Sequence, residues 1–590
     1  MNRTGRVFLI FLIIVGCMAG LWFFQAWRES EERASSRSIR NAYITSISGT
    51  SVTAVAEGEK REWESAGAVS GQSISGIADI YLQNEKIVRI VKKPESIKGK
   101  VLKISDKVIS LEEYGDVKLD KNFVVYRREK GGEIKQGSLS DIVVGYSGTR
   151  FVAAGKRICA AVIEDSRLES IRVILKDNDF SSYDMGKTTL TATSDFYVKI
   201  GSQTKQYKKG QRVVFQPASM SGRARVSTGG KGKIRIESLK RQYGVPEYRG
   251  NIEIEKSGTY LHIINELPLE EYLYSVVPSE MPTEYAKEAL KAQAICARSY
   301  AVEHMKGNRL AKYGAHVDDS VSFQVYNNLK EDEKSIAAVR ETRNQVITHN
   351  GKVAATYFFS VSCGSTATPK DVWFAERNEP YLISSTQTLA REKRNLKDEK
   401  TFIQYIKEAP ETIDSSSTWY RWKAKIRGES LKKSVDFHMR ERYEVNPTQI
   451  QVRQKDGTYK SRKVSDIGDI QNIYVRQRGE GGVVTFVEIE GTKETVRVYT
   501  EYNIRTLLIG EDTVFERKDK KKVTGLSLLP SGFFYVEKKG DSFVFYGGGY
   551  GHGVGMSQQG ANTLAGQGKN CLDILTFYFP NTNVQSRESL

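Results

Sequence analysis

The sequence predicts an α+β protein: a single N-terminal transmembrane helix, then β-rich N-terminal modules, then a mixed α+β region that carries the chemistry. Three observations lead there. Residues 7–24 form one uncharged, mainly apolar run. From about 41 to 265, short alternating apolar runs are broken by Gly, Asp and Asn at intervals of roughly ten residues. Residues 283–305 repeat small and apolar side chains at three- and four-residue steps. With 590 residues the chain has room for about three or four domains. The divisions fall at 1–28 (a cytoplasmic tip and anchor), 40–165 (accessory β-modules), 168–265 (a second β-rich stretch) and 266–585, the last with a β-rich insertion at about 410–535.

The N-terminal run VFLIFLIIVGCMAGLWFF is about 27 Å long as a helix, close to membrane thickness once Ala26 and Trp27 are added. Arg3 and Arg6 precede it, while Arg28, Arg33, Arg37 and Arg40 follow, so the charge rule for orientation is nearly balanced. Ile14-Val15-Gly16-Cys17 resembles a lipoprotein cleavage box, but the apolar run continues to Phe24, which suits an uncleaved helix better. The expectation is a single-pass chain held in the cell membrane through residues 7–24, with its bulk extracytoplasmic.

The formal charge of +18, from 89 basic and 71 acidic residues, points to polyanionic surroundings. Nucleic acid is not expected among them, because zinc-finger spacing, an RNP-like aromatic run and a Walker motif are all missing and the basic residues are spread along the chain. Five cysteines, at 17, 159, 296, 363 and 571, include no CxxC, so a disulfide framework is not expected; a pair among the last four stays open.

Taken in order, runs such as AYITSISG, GKVLKISDKVISL and FVVYRR read as strands of small barrels or sandwiches, a spacer or docking module. SIRVILK and YRGNIEIEKSGTYLHIIN extend the pattern, with SGRARVSTGGKGK as a loop between strands. TEYAKEALKAQAICARSYAVEHM is a long Ala-rich helix with Thr283 as its expected N-cap and Gly307 as its stop. A weaker helix is expected at about 400–408, and the last segment reads as strand, glycine-rich loop and two helices.

Glu280, in VPSEMP, lies between Pro278 and Pro282, whose rings are expected to hold an extended, stiff backbone; Val276, Val277 and Met281 offer surroundings that would raise its pKa. Alternatively it is an ordinary solvated loop residue. In GGGYGHGVGMSQQGA, seven glycines in fifteen residues flank His552, allowing close approach of backbone to a ligand just before a helix beginning near Ser557. Neither GxxxxGK[ST] nor a strict dinucleotide fingerprint is present. A GxSxG elbow is absent; Cys296 sits mid-helix as a core residue, Cys363 is more open but lacks a base, and the remaining histidines show no HExxH spacing.

Three segments, 266–302, 353–382 and 549–580, resemble in sequence and order the stage II sporulation protein D family, which is related to the amidase enhancers. The resemblance covers about 170–585. It implies a catalytic domain with a glycan groove, and lytic transglycosylase activity on peptidoglycan: non-hydrolytic cleavage of the MurNAc–GlcNAc backbone, with Glu280 as the acid. It places Gln293, Arg298, Tyr300, Gln324 and Tyr326 near the glycan groove or in its supporting shell, and Tyr550, His552, Ser557 and Gln558 at the substrate. Some members bind zinc through two cysteines ahead of Gln-Val-Tyr, where this chain has Asp318 and Phe323, so no metal or other cofactor is expected. Implied partners are glycan strands and a cell-wall amidase or endopeptidase, at the cell surface or in the forespore intermembrane space. The competing implication is a non-catalytic, glycan-binding enhancer of an amidase.

Overall fold

The computed structural model describes residues 36–67, 75–129, 131–164, 168–387 and 394–589. The expected α+β balance is corrected by what is seen: strand makes up 39% of the structure against 21% helix, so sheets dominate throughout. Alternation is the reason. In Phe196–Ile200 and in Trp422–Arg427 every second side chain is buried, which suits one face of a sheet and not a helix. The expected membrane-spanning helix is likewise not supported, since no helix among the described residues is long and apolar enough to cross a membrane. Residues 7–24, where that helix was placed, lie outside the described residues. The longest described helix, Lys287–Met305, is interrupted by Lys287, Glu288, Lys291, Arg298 and Glu303, charges that hydrocarbon does not accept.

Residues 36–92 make a five-stranded antiparallel sheet with Ser36–Ser48 at its centre. Residues 96–163 make a seven-stranded sheet in which Gly115–Arg128 and Arg157–Ile163 are parallel neighbours. The buried Tyr126 hydroxyl of the second donates to the carbonyls of Asn41 (2.8 Å) and Val55 (3.2 Å) in the first, joining the two modules. A third sheet of seven strands runs from 170 to 318, with Ser170–Ile174 between Tyr260–Pro268 and Val317–Asp318.

Nine α-helices stand among the described residues: α1 (Leu269–Glu280), α2 (Lys287–Met305), α3 (Glu333–Glu341), α4 (Pro369–Trp373), α5 (Glu399–Glu408), α6 (Gly428–Val445), α7 (Glu501–Leu507), α8 (Gln558–Gly566) and α9 (Cys571–Tyr578). Strand Tyr260–Pro268 runs straight into α1, so the third sheet aims that helix. Helix α2 is the hub, packed against α1, α3, α8 and α9. Ala289, Ala292, Ala294, Ala297 and Ala301 are buried around it, small enough to let four neighbours close in. It starts at Lys287 and not at Thr283; Ala286 holds the cap position, and its N–H donates to Asn562 Oδ1 at 2.9 Å.

Residues 422–547 contain two five-stranded sheets and a separate core that includes Ile426, Leu431, Val435, Met439, Val487 and Phe515. Helix α6, 18 residues long, was not anticipated inside this expected β-rich insertion. Its mixture of Lys, Glu, Arg and aromatic residues blurs the apolar stripe that would have announced it.

Candidate active site

Glu280 is the last residue of α1, and Pro278 lies inside the final turn. This corrects the expected extended approach: only Met281, with φ −129°, leaves the helix. Ser279 Oγ donates to the Ser275 carbonyl (2.7 Å) and the Met281 N–H to the Val277 carbonyl (3.0 Å), closing the turn that the proline's missing N–H weakens.

The Glu280 side chain is half-buried, and its Oε1 accepts the Val325 N–H at 2.6 Å. Burial pushes the carboxyl up to about 7, against the opposing pull of that N–H. Burial, the larger cause, and the charge of Glu280 in turn raise the phenols of the nearby Tyr272 and Tyr300. The Val325 amide is held from both sides. Gln324 is fully buried, donating to the Ala297 carbonyl and accepting from the Tyr272 hydroxyl, both at 3.3 Å, while the buried Tyr326 hydroxyl donates to Asn265 Oδ1 at 2.7 Å. Gln324 and Tyr326 therefore position the peptide that holds the acid.

A run of rings leads away from Glu280. Tyr300, whose phenol is raised first by burial and also by the charge of Glu280, stacks on His304 at 4.1 Å; His304 meets Phe323 at 5.3 Å, and the Arg309 guanidinium lies over Phe323 at 4.9 Å. In the other direction Tyr300 meets Tyr357 (6.1 Å), Tyr357 meets Trp373 (4.7 Å), and Trp373 meets His552 (5.1 Å). His552 is thus linked to the buried Tyr300 through Trp373 and Tyr357, and no hydrogen bond joins it to Glu280 among the described residues. Its Nδ1 accepts the Val554 N–H at 3.0 Å, which assigns the proton to Nε2. Burial and the nearby Arg505 charge lower it to about 3, so the ring is neutral at physiological pH.

The glycine-rich segment serves packing. Gly549, Gly551, Gly553 and Gly555 all have positive φ, and a Cβ at Gly555 would sit 2.2 Å from the Tyr357 carbonyl oxygen. Backbone lies directly on backbone there, leaving no cradle for a phosphate. Tyr550, half-buried, pairs with Val361 through both backbone groups and lies 5.0 Å from Trp419.

The remaining expected residues are inside the protein. Arg298 is fully buried and clamps Glu270 through two 2.8 Å bonds while donating to the carbonyls of Gln345 and Val339. Gln558 Nε2 reaches Gln293 Oε1 at 3.5 Å, both side chains being buried. Ser557 caps α8 and donates to Asp414, whose carboxyl also accepts the Ser362 N–H at 3.1 Å. Substrate contact at Gln293, Arg298, Gln324, Tyr326, Ser557 and Gln558 is thereby corrected to support, because a sugar cannot reach side chains sealed in the core. Cys363, expected to be open, is buried and raised to about 11, so it is no nucleophile; Cys296 lies in the core. Cys159, Cys296, Cys363 and Cys571 are all unpaired.

Zinc does not fit at 318–323. One Asp318 oxygen takes the Ser320 N–H and hydroxyl, the other the Tyr183 hydroxyl with Lys176 3.4 Å away, and Phe323 offers only hydrocarbon. Sequence reasoning missed Trp373, Tyr357 and Phe323 as rings linked through Tyr300 and His304, since they come from separate segments, and missed Asp414, whose burial raises it to about 7. A cleft of about 1060 Å³ lies elsewhere, between the second module and the third sheet, lined in part by Leu111, Asp116, Arg223 and Glu253.

Residues 257–349, which hold α1, α2, Val325 and α3, match the family model described as stage II sporulation protein. Within those residues the chain carries a stage II sporulation protein domain. It is 27% identical over 343 residues to stage II sporulation protein D of Bacillus subtilis (strain 168), covering 55% of this chain and 77% of that one. It is 28% identical over 398 residues to the stage II sporulation protein D of Bacillus amyloliquefaciens, covering 65% and 90%. The amidase enhancer of Bacillus subtilis (strain 168) is 26% identical over 320 residues, 53% of this chain, and the match spans 40% of the enhancer's length. Residues 435–555 also match a domain of unknown function.

Proposed function

We propose that this chain is a peptidoglycan lytic transglycosylase that cleaves the MurNAc–GlcNAc link without water, with Glu280 as its sole acid and base. One observation carries the reading: Glu280 is a half-buried carboxyl that accepts a single N–H, from Val325, and that burial raises to about 7. A carboxyl near neutral pKa can start protonated and later take a proton back, which suits chemistry in which one group serves as acid and then as base. Because the Val325 N–H occupies Oε1, the proton of the neutral acid belongs on Oε2. That proton passes to the glycosidic oxygen as its bond to the anomeric carbon breaks. The muramoyl ring's own primary hydroxyl oxygen then bonds to that carbon, its proton returns to Glu280, and a 1,6-anhydro end is left with no water consumed.

The wall-facing location, a role linked to sporulation, and cooperation with a cell-wall amidase or endopeptidase belong to the same proposal. The test compares wild type with Glu280→Gln on purified peptide-free glycan strands. Wild type is expected to release anhydro-ended fragments, and the variant to be about a hundred- to ten-thousandfold slower; equal rates refute the role of Glu280. The similarity to an amidase enhancer favours a second reading, a non-catalytic glycan binder. In that case Glu280→Gln leaves stimulation of an added amidase intact and neither protein yields anhydro ends.

A further inference from the structure

Two consecutive large aromatic residues at the end of α4 are partly open to solvent: Trp373, 39% exposed, and Phe374, 41% exposed. Phe374 ends α4 in the left-handed region, with φ +55°, a place that glycine ordinarily takes. A bulky residue held there at a conformational cost marks a candidate functional position. The Phe374 ring lies 6.2 Å from Tyr499, which in turn lies 5.0 Å from Phe486, and both partners belong to strands of the domain of unknown function. That domain is seated on α4 through its turn at 479–482. The Glu480 N–H donates to the Asp371 carboxylate at 3.3 Å, and a Cβ at Gly481 would fall 1.9 Å from the Thr366 carbonyl oxygen. On the other side, Trp373 leads through Tyr357 and Tyr300 to the surroundings of Glu280.

We propose that Trp373, Phe374 and Tyr499 form a distal sugar subsite, built jointly by the family core and the inserted domain, for a pyranose ring of the same glycan strand. The proposal rests on the glycan reading above. Aromatic faces carry slight negative charge and attract the positive C–H edges that a pyranose ring presents. The exposed Glu376, Arg377 and Asn378 follow directly and supply hydrogen-bonding groups for hydroxyls. Trp373 packs on the half-buried Tyr357, which meets the buried Tyr300 beside the Glu280 charge, so the patch lies within a few ring contacts of the acid, near enough for one extended strand to serve as the occupant of both. The inserted domain thereby gains a role: it lengthens the stretch of strand held during cleavage.

The test uses the full chain carrying Glu280→Gln, so that bound strands are not consumed, and measures its affinity for N-acetylglucosamine oligomers and peptide-free glycan strands graded by length. Affinity is expected to rise with length. Adding Phe374→Gly or Trp373→Ala is expected to flatten that rise, weakening the longest ligands by about three- to tenfold. Phe374→Gly relieves the left-handed strain, so an unchanged or higher melting temperature separates loss of binding from loss of fold. The subsite is overturned if affinity is independent of length in the parent, if both variants keep the rise, or if they instead lose an added wall amidase, which would make the surface a protein-docking site. Failure of the parent to bind any oligomer would overturn the glycan reading itself as well.

Discussion

A carboxyl that must give and then take a proton works best when its pKa meets ambient pH, and burial brings Glu280 to about 7. Activity needs the protonated form at the start of each turnover, so the rate on glycan strands is expected to be half lost near pH 7 and to keep falling as pH rises, as a pH–rate profile will show. The same shift acts on stability. A carboxyl whose folded pKa lies above its ordinary 4.5 destabilises the fold progressively as pH rises from about 4.5 through 7. Glu280→Gln is therefore expected to be more stable than wild type at pH 8, by about 1–3 kcal/mol, with the margin vanishing near pH 4, as measured by denaturant titration at both values. Glu280 itself was legible in the sequence through its motif. Its surroundings were not, because the one donor that holds it comes from Val325, 45 residues away.

At the scale of elements, the alternation of Phe196–Ile200 and the three- and four-residue repeat of α2 were readable, since each is a local period. The glycine segment was readable as a close approach, but its partner, the strand-like run at 357–363, was not. Gly555→Ala must place a Cβ against the Tyr357 carbonyl at a backbone angle L-residues avoid, and is expected to destabilise by about 2 kcal/mol or more, measured by thermal or denaturant unfolding. Arg298 appeared in the sequence as a ligand candidate, yet its guanidinium ties α2 to Glu270 of α1 inside the core. Arg298→Met leaves Glu270 without its partner and is expected to cost about 3–5 kcal/mol. Because the loss is of fold, activity measured per folded molecule should fall far less than in Glu280→Gln.

Across the whole molecule, the accessory modules are fixed to the helix-bearing region by buried charge. Arg172 bonds Glu253 and Glu266 at 2.7 Å each, Lys100 of the second module meets Glu266 at 2.6 Å, and the buried His316 links the Arg172 N–H (3.0 Å) to the Val144 carbonyl (2.9 Å). None of this was legible, because the partners lie up to 172 residues apart. Although burial works upward on Glu253, Arg172 outweighs it and holds that carboxylate below its ordinary 4.5; its stabilising effect is complete above that value and is lost as pH falls. Lys100→Met is expected to loosen residues 96–163, seen as faster amide exchange there with α2 unaffected. The central claim concerns the bond-breaking step, and the most direct measurement is digestion of peptide-free glycan strands in ¹⁸O-labelled water, read by mass spectrometry. The account predicts anhydro ends that carry no label and that disappear with Glu280→Gln; labelled reducing ends, or anhydro ends that persist in the variant, would contradict it.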